Sequence, residues 1–402
     1  MTETAGAQDR GRSRRLRVGV TLFLRDERQS IWENGIFQNS FFLLETLRKS
    51  PLVEWSCIVA SGPGDPATAK HFLSGAEASV IDLTEAMETL DVVIELSAQL
   101  DPEWGHRFVE RGGRIVAMRV ASDFVIDAER MAFGLTPGLL MSGVPYHEVW
   151  TLPAFEPTCR TYYEMGFRAP VRIMQHLWSP VLLEKGASEA GQYEGLRYSP
   201  GRSRWRVGVL EPNLCSVKTC HIPMLVCESA YRMSPKSLEA LRVFNTDSVR
   251  SNEVFTKFAR SLDVVKNGKA SFEGRFPIFH LLGSYVDAIV SHHWENAQNY
   301  LYYEAIYLGY PLIHNSHLLD GCGYSYADFD PEDGGRALLQ AFLEHDRSLG
   351  TYMSSGRKLL SKLEPTSEAN VRLYSDAIAG LFDPDRRADP TLASRRAQAE
   401  AV

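Results

Sequence analysis

The stretch HHWENAQNYLYYEAIYLGYPLIHNS, residues 292–316, decides the fold. An apolar run, VDAIVS, comes directly before it and is typical of a buried strand. From about Ala297 the apolar residues recur at the spacing of a helix, and one buried face is predicted for Leu301, Ala305 and Leu308. Gly309 is placed to end this helix, and Pro311 begins a second apolar run, PLIHNS. The stretch therefore predicts strand, loop, helix, tight turn and strand, which is one unit of a parallel α/β sheet.

The same alternation of short apolar runs and helical patterns extends along the chain. RLRVGVTLFL, WSCIVAS, LDVVIELSA and RIVAMRVAS predict strands of a first half. The alternation pauses over residues 184–204, which are rich in Gly, Ser and Glu, and restarts with WRVGVLEPN. Strands that alternate with helices form right-handed βαβ units. The sequence therefore predicts an α/β protein of two similar halves that face each other across a cleft.

The boundaries of these parts follow from the changes of pattern. We expect a disordered arm at 1–15, a first α/β domain at 16–183, a linker at 184–204, a second α/β domain at 205–365, a last helix at 366–385 and a disordered tail at 386–402.

Composition and charge exclude several classes of protein. The chain has 402 residues and a formal net charge of −7, so a surface that coats nucleic acid is not expected. Its six cysteines form no CxxC pair, which is typical of reduced thiols in a cytoplasmic protein. No apolar run is long enough for a transmembrane segment. A peripheral position at the inner face of a membrane and a homo-oligomeric state are both compatible with this sequence.

Ligands of open α/β sheets bind beyond the carboxyl ends of the strands, so chemistry is expected in the loops after the predicted strands. The loop 25–40 after the first strand carries Glu33, Asn34 and Gly35. Gly35 allows a ligand to approach the backbone near a helix N-terminus, and Glu33 or Asp26 could act as a base. The alternative is a solvated turn with a helix cap.

A second loop, 121–130, carries Asp123 and Asp127 four residues apart, so both face one way in a helix. Asp123 is a candidate general base for an acceptor hydroxyl. The alternative, which the sequence favours slightly, is that Asp123 caps the helix. His147 and His176 also follow strands, and His176 could line the cleft, although a lone His in such a place is more often structural.

The loop that restarts the pattern, 211–224, contains Asn213 and Lys218 just before a helix. A lysine in this position suits a diphosphate, as a point charge beside helix amides. A zinc site at Cys215, Cys220 and His221 is rejected because no second cluster has suitable spacing. An Asp-x-Asp pair at 328–330 is not expected to bind a cation.

In the opening stretch, Asn296, Gln298 and Asn299 precede the predicted helix, where an anion can bind. Glu304 lies further along the helix, and a carboxylate there can accept hydrogen bonds from two vicinal hydroxyls. The two adjacent histidines, His292 and His293, would point apart on a strand and so could not share a metal. They are therefore expected to be peripheral.

These residues carry a resemblance to the GT-B glycosyltransferase superfamily. EAIYLGYPLIHN resembles the second half of its nucleotide-sugar signature through Glu304, Ala305, Gly309 and Pro311. SIWENG and EPNLCSVKTC, together with the stretch at 295–316, resemble an uncharacterised bacterial family of GT-B-like proteins. The first carboxylate of the signature is replaced by Asn296, with Glu295 one place earlier.

The resemblance implies two Rossmann-like domains and a last helix that crosses back to the first domain. It implies that Glu304 binds the ribose of a nucleotide-diphosphate sugar and that Lys218 contacts the diphosphate. Because helix amides near Asn296–Asn299 and Lys218 would stabilise the leaving diphosphate, no metal or other cofactor is expected. The first domain would bind a saccharide, protein or small-molecule acceptor. The expected activity is glycosyl transfer, with Asp123 or Glu33 as the base if the reaction inverts. A sugar-nucleotide 2-epimerase and a non-catalytic glycan- or nucleotide-binding protein remain alternatives.

Overall fold

A computed structural model describes residues 15–26, 28–67, 79–136 and 142–383. The disordered arm predicted at 1–15, apart from Arg15, and the tail predicted at 386–402 lie outside these residues.

The first domain contains a sheet of parallel strands. In the described part of the chain its strands are β1 (Leu16–Phe23), β2 (Val53–Ser61), β3 (Ser79–Ile81), β4 (Val92–Glu95), β5 (Arg114–Arg119), β6 (Glu148–Thr151) and β7 (Val171–Ile173). Their spatial order is β3-β2-β1-β4-β5-β6-β7. The apolar residues of β1, β4 and β5 are buried because helices cover the sheet on both faces.

Helices connect these strands. They are α1 (Gly35–Lys49), α2 (Leu83–Thr89), α3 (Pro102–Glu110), α4 (Asp123–Phe133), α5 (Glu156–Phe167) and α6 (Val181–Glu189), with a short 3-10 turn at Pro153–Phe155. Asn34 caps α1 by accepting a hydrogen bond from the N–H of Ile36. The stretch predicted as a linker, 184–204, begins inside α6.

The second domain repeats this plan. Its strands are β8 (Trp205–Val209), β9 (Leu238–Val243), β10 (Ala270–Phe272), β11 (Ala288–Val290), β12 (Leu312–His314) and β13 (Tyr324–Ser325). They are parallel and ordered β10-β9-β8-β11-β12-β13. In both sheets the strand order reverses beside the first strand of the domain, as in Rossmann-like folds. The reversal lies between β1 and β4 in the first sheet and between β8 and β11 in the second. The predicted α/β class is confirmed.

The helices of this domain and of the chain end complete the fold. They are α7 (His221–Met233), α8 (Glu253–Ser261), α9 (Asp263–Lys266), α10 (Ile278–Leu281), α11 (Tyr300–Leu308), α12 (Pro331–Ser361) and α13 (Glu368–Gly380). The α11 helix ends at Gly309, whose φ of 82° is in the left-handed region that glycine adopts without strain. None of the described helices is long and apolar enough to cross a membrane.

The last helix, α13, returns to the first domain, as expected. The hydroxyl of Tyr374 donates to the carbonyl of Gln175 at 2.8 Å, and its ring packs edge-on against Trp150. Ser375 shares a hydrogen bond with Ser50 at the end of α1. Because residues of α13 are buried in the same core as the first sheet, the helix is an integral part of that domain.

Aromatic contacts join the two domains at the base of the cleft. The rings of Trp32 and Phe279 meet edge to face with centroids 5.1 Å apart. The ring centroid of Phe42 in α1 lies 5.7 Å from that of Tyr300 in α11. The carboxyl ends of the two sheets therefore meet near the N-terminus of α11, which is the helix predicted from residues 292–316.

Candidate functional site

The site is built around the point where the second sheet reverses, between β8 and β11. Glu211 follows β8 and is completely buried. One carboxylate oxygen accepts hydrogen bonds from the hydroxyl of Ser291 and from the N–H of His292, both just after β11. Its other oxygen has no hydrogen-bond partner among the described residues. Burial raises the pKa of Glu211 to about 7, although the Ser291 hydrogen bond opposes this shift.

A buried polar network continues from Glu211 beneath the cleft. The Ser291 hydroxyl lies 3.2 Å from the hydroxyl of Tyr302, and the Ser291 carbonyl accepts a hydrogen bond from Tyr326 at 2.9 Å. Tyr326 also lies 3.0 Å from Nδ1 of His292. These contacts fix the backbone after β11 and the orientation of the His292 ring.

The loop between β11 and α11 is held by residues that follow β12. The side chain of Asn315 forms two hydrogen bonds with the backbone of His293, at 3.0 and 2.8 Å. The hydroxyl of Ser316 donates to the carbonyl of Ala297 at 2.6 Å. Glu295 lies in this loop with a φ of 52°, which is strained for a residue other than glycine. The two ends of the opening stretch thus hold each other in place.

Glu304 lies in α11 and is only 5% exposed. No described residue forms a hydrogen bond with its carboxylate, and burial alone raises its pKa to about 8. A buried acid without a partner costs folding free energy, and groups with strongly perturbed pKa values are concentrated at functional sites. The ionised carboxylate of Glu304 can accept hydrogen bonds from a polar ligand.

Lys218 lies in the loop between β8 and α7 and is half-buried. Its ammonium donates to the carbonyl of Gln298 at 3.2 Å, which links the two loops that flank the reversal point. Burial lowers the pKa of Lys218 to about 8, while the charge of Glu211 opposes this shift. Burial lowers the pKa values of His176 and His293, and the charge of Lys218 lowers them further.

The structure brings Asn296, Gln298 and Asn299 together before α11, as predicted. The N–H of Asn296 donates to Nδ1 of His293 at 3.3 Å. Gln298 accepts from the N–H of Ala154 in the first domain at 3.4 Å. Asn299 caps α11 through a hydrogen bond from the N–H of Leu301. Asn299 therefore has a structural task beside the binding role predicted for it.

Asn213 lies beside the site, but its side chain forms hydrogen bonds with other residues of the protein. It accepts from the N–H of Cys220 at 2.8 Å and donates to the carbonyls of Glu211 and Asn245. Its φ of 54° is left-handed. Asn213 thus shapes the loop that carries Lys218.

His176, Asn34 and Gly35 come from the first domain, and His176 and Gly35 lie against Tyr300. The His176 ring stacks on Tyr300 with centroids 4.8 Å apart, and its Nδ1 lies 3.1 Å from the hydroxyl of Tyr303. Burial lowers the pKa of His176 to about 3, so the ring is neutral. A Cβ on Gly35 would lie 3.2 Å from the Tyr300 ring. Gly35 therefore gives room to this ring, and Asn34 caps α1 at the exposed edge.

The two candidate bases, Glu33 and Asp123, both have partners inside the first domain. Arg25 donates to both carboxylate oxygens of Glu33, and the N–H of Ser30 donates to one of them. Asp123 accepts from the hydroxyl of Tyr163 at 2.8 Å, and burial raises its pKa. The cap of α4 is Ser122, so the alternative interpretation of Asp123 as the capping residue is wrong.

The expectation that His292 and His293 point apart on a strand is also wrong. β11 ends at Val290, so both residues lie in the loop, with ring centroids 6.4 Å apart and planes inclined by 23°. Both side chains are buried, at 4% and 6% exposed, and their predicted peripheral role stays a prediction. Sequence reasoning also missed Glu211 and Asn315, which lie near the ends of the predicted runs WRVGVLEPN and PLIHNS. The signal that could have found them is a polar residue at the carboxyl end of an apolar run, since the strands end at Val209 and His314.

Within the described residues, no group of three or more His, Cys, Asp or Glu side chains is arranged to hold a metal ion. Cys215 and Cys220 are free thiols.

Solved structures share this fold at low sequence identity. Anabaena Alr3699/HepE in complex with UDP-glucose matches with a TM-score of 0.54 and 11% identity over 90% of this chain and 100% of that chain. A mutant of Thermobaculum terrenum O-GlcNAc transferase matches with a TM-score of 0.54 and 12% identity over 92% and 68% of the chains. The N-terminal domain of Candida albicans trehalose-6-phosphate phosphatase matches with a TM-score of 0.56 and 12% identity over 94% and 99%.

At these identities the comparisons establish the fold alone, and they confirm the GT-B fold implied by the sequence resemblance. A search of curated proteins finds no match. A family model described as a protein of unknown function, DUF2827, matches residues 18–378. Because this match covers most of the 402 residues, the chain belongs to the DUF2827 family.

Proposed function

We propose that this protein is a glycosyltransferase that moves a sugar from a nucleotide-diphosphate sugar to an acceptor, without a metal ion. The observation that carries the proposal is Glu304, a nearly buried carboxyl group that no described residue pairs with. In its ionised form it accepts hydrogen bonds from the two ribose hydroxyls of the nucleotide. These bonds replace the solvation that the group lost on folding.

Lys218 and the N-terminus of α11 provide the positive potential for the diphosphate. The Lys218 ammonium lies 3.2 Å from the Gln298 carbonyl, directly before this helix. Free backbone N–H groups and the helix dipole at such an N-terminus favour an anion. As the bond to the sugar breaks, the same groups stabilise the charge that develops on the leaving diphosphate. This arrangement supports departure of the leaving group without a cation.

The first domain would bind the acceptor, which we leave open among saccharides, proteins and small molecules. Asp123 and Glu33 remain the candidates for a base in an inverting reaction. Both would have to exchange a present partner, Tyr163 or Arg25, for the acceptor hydroxyl. A retaining reaction requires no such base.

The test is calorimetric titration with UDP, GDP and dTDP and with a sugar derivative of each. Binding to the wild-type protein and its loss in Glu304→Ala support the proposal. Glu228→Ala is the matched control, because Glu228 is a buried glutamate paired with Arg232 away from the site. Transfer that persists in excess EDTA supports the absence of a metal requirement, and transfer that stops contradicts it.

A protein that binds a nucleotide sugar without catalysis is the second candidate. It is favoured by the existing partners of Asp123 and Glu33, which leave neither carboxylate free in this structure. Incubation with the bound nucleotide sugar and a panel of acceptors distinguishes the two functions. Release of the nucleoside diphosphate with formation of a glycoside supports transfer, whereas binding without any turnover supports the second candidate.

A further inference from the structure

His292 and His293 are buried side by side at the reversal point of the second sheet, and the proposed transfer mechanism does not use them. The Nε2 atom of each ring has no hydrogen-bond partner among the described residues. A buried polar atom is costly unless water or a ligand satisfies it, so two neighbouring cases make this loop a candidate binding site.

The contacts of the two Nδ1 atoms determine the tautomers. Nδ1 of His293 accepts a hydrogen bond from the N–H of Asn296, so the proton of this neutral ring is on Nε2. The hydroxyl of Tyr326 donates its only proton to the carbonyl of Ser291, so it must accept one from Nδ1 of His292. His292 Nε2 is therefore an acceptor, while His293 Nε2–H is a donor.

Burial keeps both rings neutral, because it lowers the pKa of His292 to about 4 and that of His293 to about 3. Their opposite tautomers restrict the ligand. An isolated anion cannot donate to His292. A metal ion would need the lone pair of His293 Nε2, which would move the ring proton to Nδ1, against the N–H of Asn296. Hydroxyl groups both donate and accept, so neighbouring hydroxyls satisfy both rings at once.

The surroundings of the pair also suit a sugar. The indole of the next residue, Trp294, is 43% exposed, and aromatic rings commonly line small-molecule sites. The N–H of Trp294 donates to the carbonyl of Val217 at 2.9 Å, so the residue after the pair lies beside the loop of Lys218, the proposed diphosphate contact. The pair thus lies next to the position where the group attached to a bound diphosphate would begin.

We propose that His292 and His293 bind the hydroxyls of the transferred sugar, His292 as acceptor and His293 as donor. This inference rests on the proposed function, because it assigns the sugar part of the same donor. It adds that the recognised face of the sugar carries neighbouring, uncharged hydroxyls.

His292→Asn and His293→Asn test the proposal. Asparagine retains a polar group near the Nδ1 position, so it can preserve the contacts with Tyr326 and Asn296, but it removes the Nε2 group. We expect each variant to weaken binding of UDP-glucose, GDP-mannose or dTDP-glucose, whichever the wild-type protein binds, by about tenfold. Binding of the corresponding UDP, GDP or dTDP should change less than twofold. Glutamine at either position, which reaches Nε2, should restore part of the lost affinity.

Equal weakening of the sugar derivative and the plain diphosphate overturns the proposal, since the pair then serves the diphosphate or the fold. Unchanged affinities for both also overturn it. Stoichiometric Zn²⁺ binding that His292→Asn abolishes would show a metal site instead. If the wild-type protein binds no nucleoside diphosphate, the proposed function and this inference both fail. If it binds the diphosphate but the variants do not weaken the sugar derivative selectively, this inference alone fails.

Discussion

One side chain, Asn315, forms both of its hydrogen bonds with the backbone of one residue, His293. The N–H of His293 donates to Asn315 Oδ1 at 3.0 Å, and Asn315 Nδ2 donates to the His293 carbonyl at 2.8 Å. Both residues are buried, so neither bond is replaced easily by water. Asn315 in effect continues the pairing of β11 with β12 for one more residue, and this fixes the loop that leads to α11.

Asn315→Asp should therefore damage the site as well as the fold. The carboxylate keeps an acceptor for the His293 N–H but places negative charge against the carbonyl. We expect a loss of roughly 1–3 kcal/mol in the free energy of unfolding, measured in urea, and weaker binding of the nucleotide sugar. The control is Asn252→Asp, the same change at a helix cap that uses only the side-chain oxygen. Equal stability of the two variants would show that the contact with the His293 carbonyl has no energetic importance.

Glu304→Gln should stabilise the free protein while it abolishes nucleotide binding. The pKa of Glu304 is raised in the folded state from 4.5 to about 8, so folding is increasingly disfavoured as pH rises through this range. Glutamine removes that proton linkage.

The free energy of unfolding of the variant minus that of wild type should increase by roughly 3–5 kcal/mol from pH 5 to pH 9. Urea unfolding at both pH values measures it. Glu228→Gln, at a carboxylate that accepts from two backbone N–H groups and pairs with Arg232, should instead be destabilised. A pH-independent difference between Glu304→Gln and wild type would contradict the assignment of a buried, unpaired acid.

Nucleotide affinity should fall at alkaline pH because Lys218 loses its proton. Burial lowers the pKa of Lys218 to about 8, so the ammonium is present below that pH and disappears above it. Glu211 and Cys215 face Lys218 and favour the charged form, while Glu304 becomes ionised in the same range and strengthens ribose binding.

Calorimetry with the bound nucleoside diphosphate between pH 7 and pH 10 should show this alkaline loss in the wild-type protein. Lys218→Arg should bind more tightly above pH 8, because a guanidinium stays protonated while Glu304 becomes ionised. Lys218→Met should bind weakly throughout. The same alkaline loss in wild type and Lys218→Arg would exclude Lys218 as its cause.

Glu129 connects the two domains across the mouth of the cleft. Its carboxylate accepts from the N–H and the hydroxyl of Ser216, each at 3.1 Å. Exposed contacts of this kind contribute little to stability, so Glu129→Ala should change the free energy of unfolding by less than about 1 kcal/mol. We expect a larger radius of gyration by small-angle X-ray scattering, because the domains separate more readily. Glu103→Ala, at an acidic residue in the first turn of α3, serves as control and should leave the scattering unchanged.

The sequence predicted the fold in considerable detail because the fold is encoded by local periodicity. The helix Tyr300–Leu308, its end at Gly309 and the strand after Pro311 follow from residues near one another in the chain. The same holds for the strands that open the two domains, Leu16–Phe23 and Trp205–Val209. Apolar spacing and turn residues close in the chain are enough to predict such elements.

The candidate site was predicted only in part. Lys218 and His176 were selected because they follow strands, and Gln298 because it precedes a helix. In the structure Lys218 donates to the Gln298 carbonyl, and the side chains of Gln298 and His176 both contact the hydroxyl of Tyr303. The predicted importance of Glu304 and the predicted unimportance of His292 and His293 came from the same local pattern. The structure corrects the position of the histidines, because their strand ends earlier than the apolar run suggested, and the cap of α4, which is Ser122 and not Asp123. The role of Glu304 stays a prediction.

The sequence by itself determined two parallel sheets and the loops in which polar residues are concentrated. Tertiary structure decided which of those residues are already paired and which remain available to a ligand. Partners 22, 81 and 127 residues apart orient His293, His292 and His176. Asn213, by contrast, is fully engaged within its own loop and the neighbouring strand end. Hydrogen bonding and burial depend on neighbours in space, and no local pattern specifies those neighbours.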